Sequence, residues 1–266
     1  MSLSDDLQFI SDLARAAALL VRKNYGKVQR LTKRHDEAVS EADRASQRLI
    51  VAALRKRFPG DGIIGEENET GDAITSDVPD PAGRNWVIDP IDGTKNYVRG
   101  VPVWATLIGL MDSDEVVVGV VSAPALGRRW WAARGGGAWT GRGLTKATRC
   151  RVSEVAKLED ASLSYSGVTG WEDSGRLAGF LGLARSVWRT RAFGDFWSHV
   201  LVAEGAVDIS AEPEVTLWDL AALQVVVEEA GGIFTDLTGK ARPDGGSAVC
   251  TNGLLHGEVL DRLAPE

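Results

Sequence analysis

Leu7, Ile10, Ala14, Ala17, Val21 and Tyr25 recur at intervals of three and four along residues 4–25. That spacing lays apolar side chains along one helical face, so a helix is predicted there, with Gly26 as its stop. A second helix is predicted over residues 40–58, ended by Pro59-Gly60. Ile63-Ile64 makes a short apolar run into Gly65-Glu66-Glu67, and the polar stretch 68–85, rich in Asp, Gly and Pro, reads as an exposed connection. Strands are predicted over 86–88, 104–111, 115–122 and 129–133. The glycines of 135–143 read as a hairpin turn needing positive φ, because no lysine and helix follow at the spacing of a phosphate loop.

Beyond residue 145 the pattern changes to alternation. Strands are predicted over 162–165, 186–190, 207–210, 232–235 and 248–251, with helices from about Trp171, from about Gly194, over 218–230 and at the C-terminus. Alternating strand and helix point to a layered α/β fold. A chain of 266 residues without internal repeats fits one large domain, or two small fused ones, with a substantial core. Its N-terminal half covers about 1–145 and its α/β C-terminal half about 146–266.

Composition, at 44% hydrophobic and 25% charged, is ordinary for a globular protein and leaves this picture unchanged. The net charge of −7 argues against nucleic acid as the main partner. It leaves room for a small phosphorylated substrate, because bound cations reverse the sign locally. Two cysteines, Cys150 and Cys250, cannot form a disulfide framework, so a reducing, cytoplasmic setting is expected. The acidic N-terminus lacks the basic region of a signal peptide, and no apolar run reaches membrane-spanning length.

The chemistry concentrates in W-V-I-D-P-I-D-G-T-K-N, residues 86–96. An apolar run delivers Asp89 and Asp92, three residues apart, into a turn with Gly93 and Thr94. Carboxylates held together repel each other unless a cation sits between them. Glycine lets backbone N–H groups approach an anion, and the threonine adds a hydroxyl. The segment reads as a site for hard metal ions beside a phosphate. Further acids stand at element boundaries: Glu66 and Glu67 after the Ile63-Ile64 run, Asp219 opening a helix, and Asp43 opening the second helix. Any one of them alone reads more readily as a helix cap or dipole partner; it is their number beside the D-x-x-D-G-T turn that points to a site. Three histidines, His35, His199 and His256, lack metal-ligand spacing and read as structural. Oxygen-only ligands favour Mg²⁺, with Mn²⁺ as a substitute, and metal-assisted attack by water is the chemistry that remains.

Gly65-Glu66-Glu67, the D-P-I-D-G-T run and Leu217-Trp218-Asp219 beside E-A-G-G resemble the inositol monophosphatase superfamily of Mg²⁺-dependent phosphatases. The resemblance implies an α/β/α/β/α sandwich, commonly a homodimer. It also implies roles. Glu66, Asp89 and the Ile91 carbonyl would hold one ion, and Asp89, Asp92 and Asp219 a second, with Glu66 also counted among the catalytic residues. Glu67 resembles an acid behind these ligands that helps hold a weaker third ion. Thr94 and Asp43 match the pair that orients the attacking water, and Gly93 and Thr94 would receive the phosphate on their backbone N–H groups.

Substrate choice falls on two other positions. Glu212, seven residues before Asp219, matches a glutamate that contacts a substrate hydroxyl in the family. Gly194-Asp195-Phe196 stands where inositol phosphatases carry small neutral residues. A buried carboxylate there calls for a cationic substrate group, which L-histidinol phosphate supplies and a polyol does not. The plainer alternative is that Asp195 caps its helix. D-G-T-K-N-Y-V-R-G-V-P-V-W and F-G-D-F-W-S-H-V-L-V-A-E-G-A-V-D resemble actinobacterial-type histidinol-phosphate phosphatases within the superfamily. Inositol-1-phosphate or a broader range of sugar phosphates is the alternative substrate class, and a catalytically silent ligand-binding relative is the alternative of a different kind.

Overall fold

The computed structural model describes residues 2–25, 41–66, 74–77, 83–144 and 146–265. Two helices open the chain, α1 (Leu3–Asn24) and α2 (Glu41–Arg57). Ser2 Oγ accepts the Asp5 N–H at 3.2 Å while the Asp5 carboxylate accepts the Ser2 N–H at 3.3 Å, a reciprocal cap that fixes the start of α1. Gly26, Ser40 and His35 lie outside the described residues.

Eight strands follow: β1 (Gly62–Gly65), β2 (Ile74–Asp77), β3 (Arg84–Asp92), β4 (Ala105–Asp112), β5 (Glu115–Ala123), β6 (Arg128–Ala133), β7 (Ala138–Gly141) and β8 (Ala147–Arg149). They form one sheet in the order β2-β1-β3-β4-β5-β6-β7-β8. β1 runs parallel to β3, and the other pairs are antiparallel. Between β3 and β4 lies α3 (Thr94–Arg99). The C-terminal half contributes β9 (Ser162–Ser164), β10 (Arg189–Arg191), β11 (Ile209–Glu212), β12 (Ile233–Thr235) and β13 (Ala248–Thr251), ordered β10-β9-β11-β13-β12. Its helices are α4 (Thr169–Asp173), α5 (Leu177–Ser186), α6 (Asp195–Ala203), α7 (Leu217–Glu229) and α8 (His256–Arg262).

Three apolar clusters define the layers. α1 and α2 bury Ile10, Leu13, Ile50 and Leu54 against Trp86, Ile88 and Ile108 on one face of the large sheet. α6 and α7 fill the space between the sheets, joining Val87, Leu107 and Val121 to Phe234 and Cys250. α4, α5 and α8 cover the far face of the small sheet around Leu163, Ile209 and Val249. Helix, sheet, helix, sheet, helix is the expected sandwich. α7 is buried on all sides from Leu220 to Val227, as a helix wedged between two sheets must be. Gly109 on β4 lets it come close, because a Cβ there would lie 3.1 Å from the Ala221 Cβ.

Three departures from the sequence reading have physical causes. β2 falls inside the predicted connection 68–85, since four residues pairing with the edge of β1 need no apolar pattern of their own. β8 is exposed along its length and carries no hydrophobic signal. The helix predicted from about Trp171 is broken into α4 and α5, with Gly175 at φ 67° between them.

Candidate active site

β3 alternates its side chains between faces: Trp86 and Ile88 turn toward α1 and α2, and Val87 toward α7. Asp89 therefore belongs to the α7 face. Strict alternation would send Asp92, three residues on, to the opposite face. A bulge prevents this. Asp89 pairs with Leu107 and Asp92 with Ala105, so β3 spends one residue more than β4 over this interval. Pro90 stands in the bulge; it has no N–H to donate, and its carbonyl accepts Thr106 Oγ1 at 2.9 Å.

The other acids arrive by different routes. Gly65 is in register with Ile88, and the Glu66 N–H donates to the Ile88 carbonyl at 3.2 Å, which sets Glu66 beside Asp89 across the parallel ladder. Asp219 sits in the first turn of α7, where the N–H and Oγ1 of Thr216 both donate to its Oδ2 at 2.8 Å. Capping occupies one carboxylate oxygen and leaves the other for the cluster. Asp89, Asp92 and Asp219 each present an oxygen within 4.8 Å of the others.

A cleft of ≈ 380 Å³ opens over these residues, lined also by Glu66, Ile91, Gly93, Thr94, Asp195 and Glu212. Gly93 has φ 79°, and a Cβ there would lie 2.8 Å from the Val103 carbonyl and 3.1 Å from Asp195 Oδ2. Gly93→Ala is expected to cost about 1–3 kcal/mol of stability and to cut turnover at least tenfold, read by thermal melts and initial rates. Thr94 Oγ1 donates to the Ile91 carbonyl at 2.8 Å, which leaves its lone pairs free to accept from a water. Asp43 is buried in the first turn of α2 and is not among the lining residues. Its charge acts on Tyr97 of α3, helping to push that hydroxyl to about 12 behind the larger effect of burial. Glu67 lies outside the described residues.

Asp195 does not cap its own helix. Its Oδ2 accepts Asn96 Nδ2 at 2.7 Å, across from α3. Its φ of 49° is unusual for a residue with a side chain, strain of the kind found where function fixes the backbone. The next residue reaches the acid cluster: the Phe196 N–H donates to Asp92 Oδ2 at 2.7 Å. Glu212, at the end of β11, is 4% exposed and accepts Ser166 Oγ at 2.7 Å. Ser166 Oγ in turn accepts the Asp195 N–H at 3.1 Å, so one hydroxyl joins both acids.

Sequence reasoning passed over Ser166 and Glu214, which line the same cleft together with Lys95 and with His199, the latter read from the sequence as structural. Ser166 stands just past the end of β9, the kind of position where α/β sheets gather ligands, but a lone serine carries no chemical flag. His199 Nδ1 lies 3.0 Å from Cys250 Sγ, and burial pushes its pKa down to about 4. His256 is held between Thr235 Oγ1 and Thr251 Oγ1 at 3.0 and 3.1 Å, a structural role.

The electrostatics follow from burial and repulsion. Burial pushes Asp89 well above the usual carboxylate range, with Glu66, Asp92 and Asp219 adding to the shift. Burial and then Asp195 do the same to Asp92, against the lowering effect of the Phe196 N–H. Burial raises Asp219, takes Asp195 to about 6 and takes Glu212 to about 8. Asp89 Oδ1 is buried and accepts no hydrogen bond among the described residues. An all-oxygen set with an unsatisfied buried carboxylate oxygen at its centre fits a hard divalent cation. Without a cation the folded state holds these protons more tightly than the unfolded chain. Metal-free stability should therefore fall as pH rises above the ordinary carboxylate range of about 4, and saturating Mg²⁺ should remove that slope. Urea midpoints at several pH values, with and without Mg²⁺, check this.

The profile of the inositol monophosphatase family matches residues 2–265. The chain belongs to the inositol monophosphatase family. It is 53% identical to a protein of Streptomyces coelicolor called histidinol-phosphatase, over 97% of each chain. A histidinol-phosphatase of Mycobacterium tuberculosis is likewise 53% identical, over 97% of this chain and 98% of that one. Among solved structures, an inositol monophosphatase (IMPase) of Thermotoga maritima superposes with a TM-score of 0.82 at 32% identity, covering 97% of this chain and 96% of the other. As a member of this family the chain is a phosphoric monoester hydrolase. No helix among the described residues is long and apolar enough to cross a membrane.

Proposed function

We propose that the chain hydrolyses L-histidinol phosphate to L-histidinol and phosphate, a step of histidine biosynthesis, with Mg²⁺ as its working ion. The observation that carries the choice of substrate is the pair Asp195 and Glu212. Both line the cleft beside the acid cluster. Among the described residues no Lys or Arg nitrogen lies within 4.0 Å of either. Lys95 lines the cleft and its charge lowers the Asp195 carboxyl against the larger effect of burial. Acids kept in such a place without a paired protein cation nevertheless suit a substrate that brings its own. The ammonium and imidazole of histidinol phosphate do so. The two relatives at 53% identity, both called histidinol-phosphatase, support the same reading.

In this proposal Glu66, Asp89 and the Ile91 carbonyl would hold one Mg²⁺, and Asp89, Asp92 and Asp219 would hold another. When bound, such ions lower the pKa of a coordinated water and neutralise charge on the phosphoryl and leaving oxygens. Thr94 accepts a hydrogen bond from the attacking water, with Asp43 behind it, and so orients the attack in line with the ester bond. The N–H groups of Gly93 and Thr94 hold the phosphate. Asp195 and Glu212 fix the amino alcohol, with Ser166 joining them. The working form is a homodimer, which light scattering on the eluting protein checks.

The deciding assay compares kcat/KM for histidinol phosphate with that for inositol-1-phosphate. A tenfold or greater preference for histidinol phosphate is expected, about 1.4 kcal/mol in transition-state binding. The reverse preference would sink the proposal. Absence of Mg²⁺-dependent phosphate release from either ester would point to a silent relative instead.

A further inference from the structure

A second hollow, of ≈ 530 Å³, lies between α1 and the turn joining β5 to β6, and it shares no lining residue with the catalytic cleft. It is basic, in a chain whose net charge is −7. Arg15 and Arg22 reach it from α1, Arg128 and Arg129 from β6, and Arg142 from just beyond β7. Arg128 is accounted for: it pairs with Glu204 and lies over the Trp130 ring, 4.7 Å from its centre. The others are not. Among the described residues, no carboxylate oxygen lies within 4.0 Å of a nitrogen of Arg15, Arg22, Arg129 or Arg142.

Water serves Arg15, Arg22 and Arg142, which are exposed. It does not serve Arg129. That side chain is 9% exposed, and among the described residues its one hydrogen bond goes from Nη1 to Ser11 Oγ at 3.1 Å and its Nε has no partner. A buried guanidinium without a carboxylate is as unsettled as the buried acids of the catalytic cleft, with the sign reversed. Burial and the neighbouring Arg15 both work against its charge, and only Asp12 works for it. A planar guanidinium answers best to an oxyanion that can accept two parallel hydrogen bonds.

We propose that this hollow is a second ligand site, taking a small phosphate-type oxyanion of at least two negative charges, with Arg129 at its base and Arg15, Arg22 and Arg142 around its mouth. Free pyrophosphate and the phosphate groups of a phosphorylated metabolite share that chemistry. Guanidinium–oxyanion pairing sets the affinity, so binding weakens as salt rises.

The test is calorimetric titration of the full-length, Mg²⁺-saturated protein with pyrophosphate. It sets wild type against Arg15→Gln/Arg22→Gln, whose exposed side chains leave the fold unburdened. The catalytic cleft contributes equally to both titrations. Wild type should show one binding event more than the double variant, or bind at that event at least tenfold more tightly, with kcat/KM for histidinol phosphate the same in both. A titration of Arg142→Gln should reproduce part of the loss. Identical isotherms for wild type and the double variant, including no binding to either, would overturn the proposal. The kcat/KM comparison separates that outcome from any failure of the catalytic reading.

Discussion

An Asp89→Asn variant is expected to fold normally and to lose at least about three orders of magnitude in turnover at saturating Mg²⁺, a deficit of roughly 4 kcal/mol or more in transition-state stabilisation. Asp89 is the residue both proposed ions share. Its Oδ1 is also buried and accepts no hydrogen bond among the described residues, so an amide there takes away a ligand and leaves the packing almost untouched. Stability should move the other way. Burial and three neighbouring acids oppose the ionised form of Asp89, so the neutral amide should leave the metal-free protein at least as resistant to urea at pH 8 as wild type. Loss of activity together with equal or greater metal-free stability separates a lost ligand from a damaged fold. Wild-type turnover in a folded variant would remove Asp89 from its bridging role.

The second large effect concerns substrate choice. Glu212→Gln should lower kcat/KM for histidinol phosphate by about 30- to 150-fold, roughly 2–3 kcal/mol for a charged partner lost from a largely desolvated pair. Turnover of glycerol phosphate, which carries no cation, should change less than threefold. Asp195→Asn should show the same selectivity. Asparagine tolerates the left-handed backbone, so the φ of 49° at this position need not relax, and the amide can keep contact with Asn96. Equal losses on both substrates would show that the two acids support the site as a whole and do not read the amino alcohol.

Much of the site was legible before any coordinates. The D-P-I-D-G-T run marked Asp89, Asp92, Gly93 and Thr94, and the order of the remaining acids marked Glu66 and Asp219. What the sequence could not convey was how Asp92 comes to share a face with Asp89. Period-2 reasoning separates them, and only the pairing with β4 exposes the extra residue. Asp219 was read as a cap or a ligand, and its geometry permits both, since Thr216 occupies a single carboxylate oxygen. Ser166 was invisible because its significance lies in touching both Asp195 and Glu212, a relation between residues far apart in the chain. The fold was legible wherever burial imposes a period. It was not legible in β2 and β8, edge strands whose backbone ladders need no apolar pattern.

The hydrogen bond from the Phe196 N–H to Asp92 Oδ2 has a meaning for how such an enzyme changes over time. In the proposed site, the residue that would choose the substrate and a residue that would hold metal are one peptide unit and one hydrogen bond apart. Drift at position 195 therefore cannot explore new esters freely, because any shift of the α6 start also disturbs how firmly the ion is kept. Variants that broaden the range of esters would be selected against in metal-poor growth and tolerated in metal-rich growth. Glu212, on a strand of the other sheet, touches that network only through Ser166 Oγ, so specificity can wander through it more freely than through position 195.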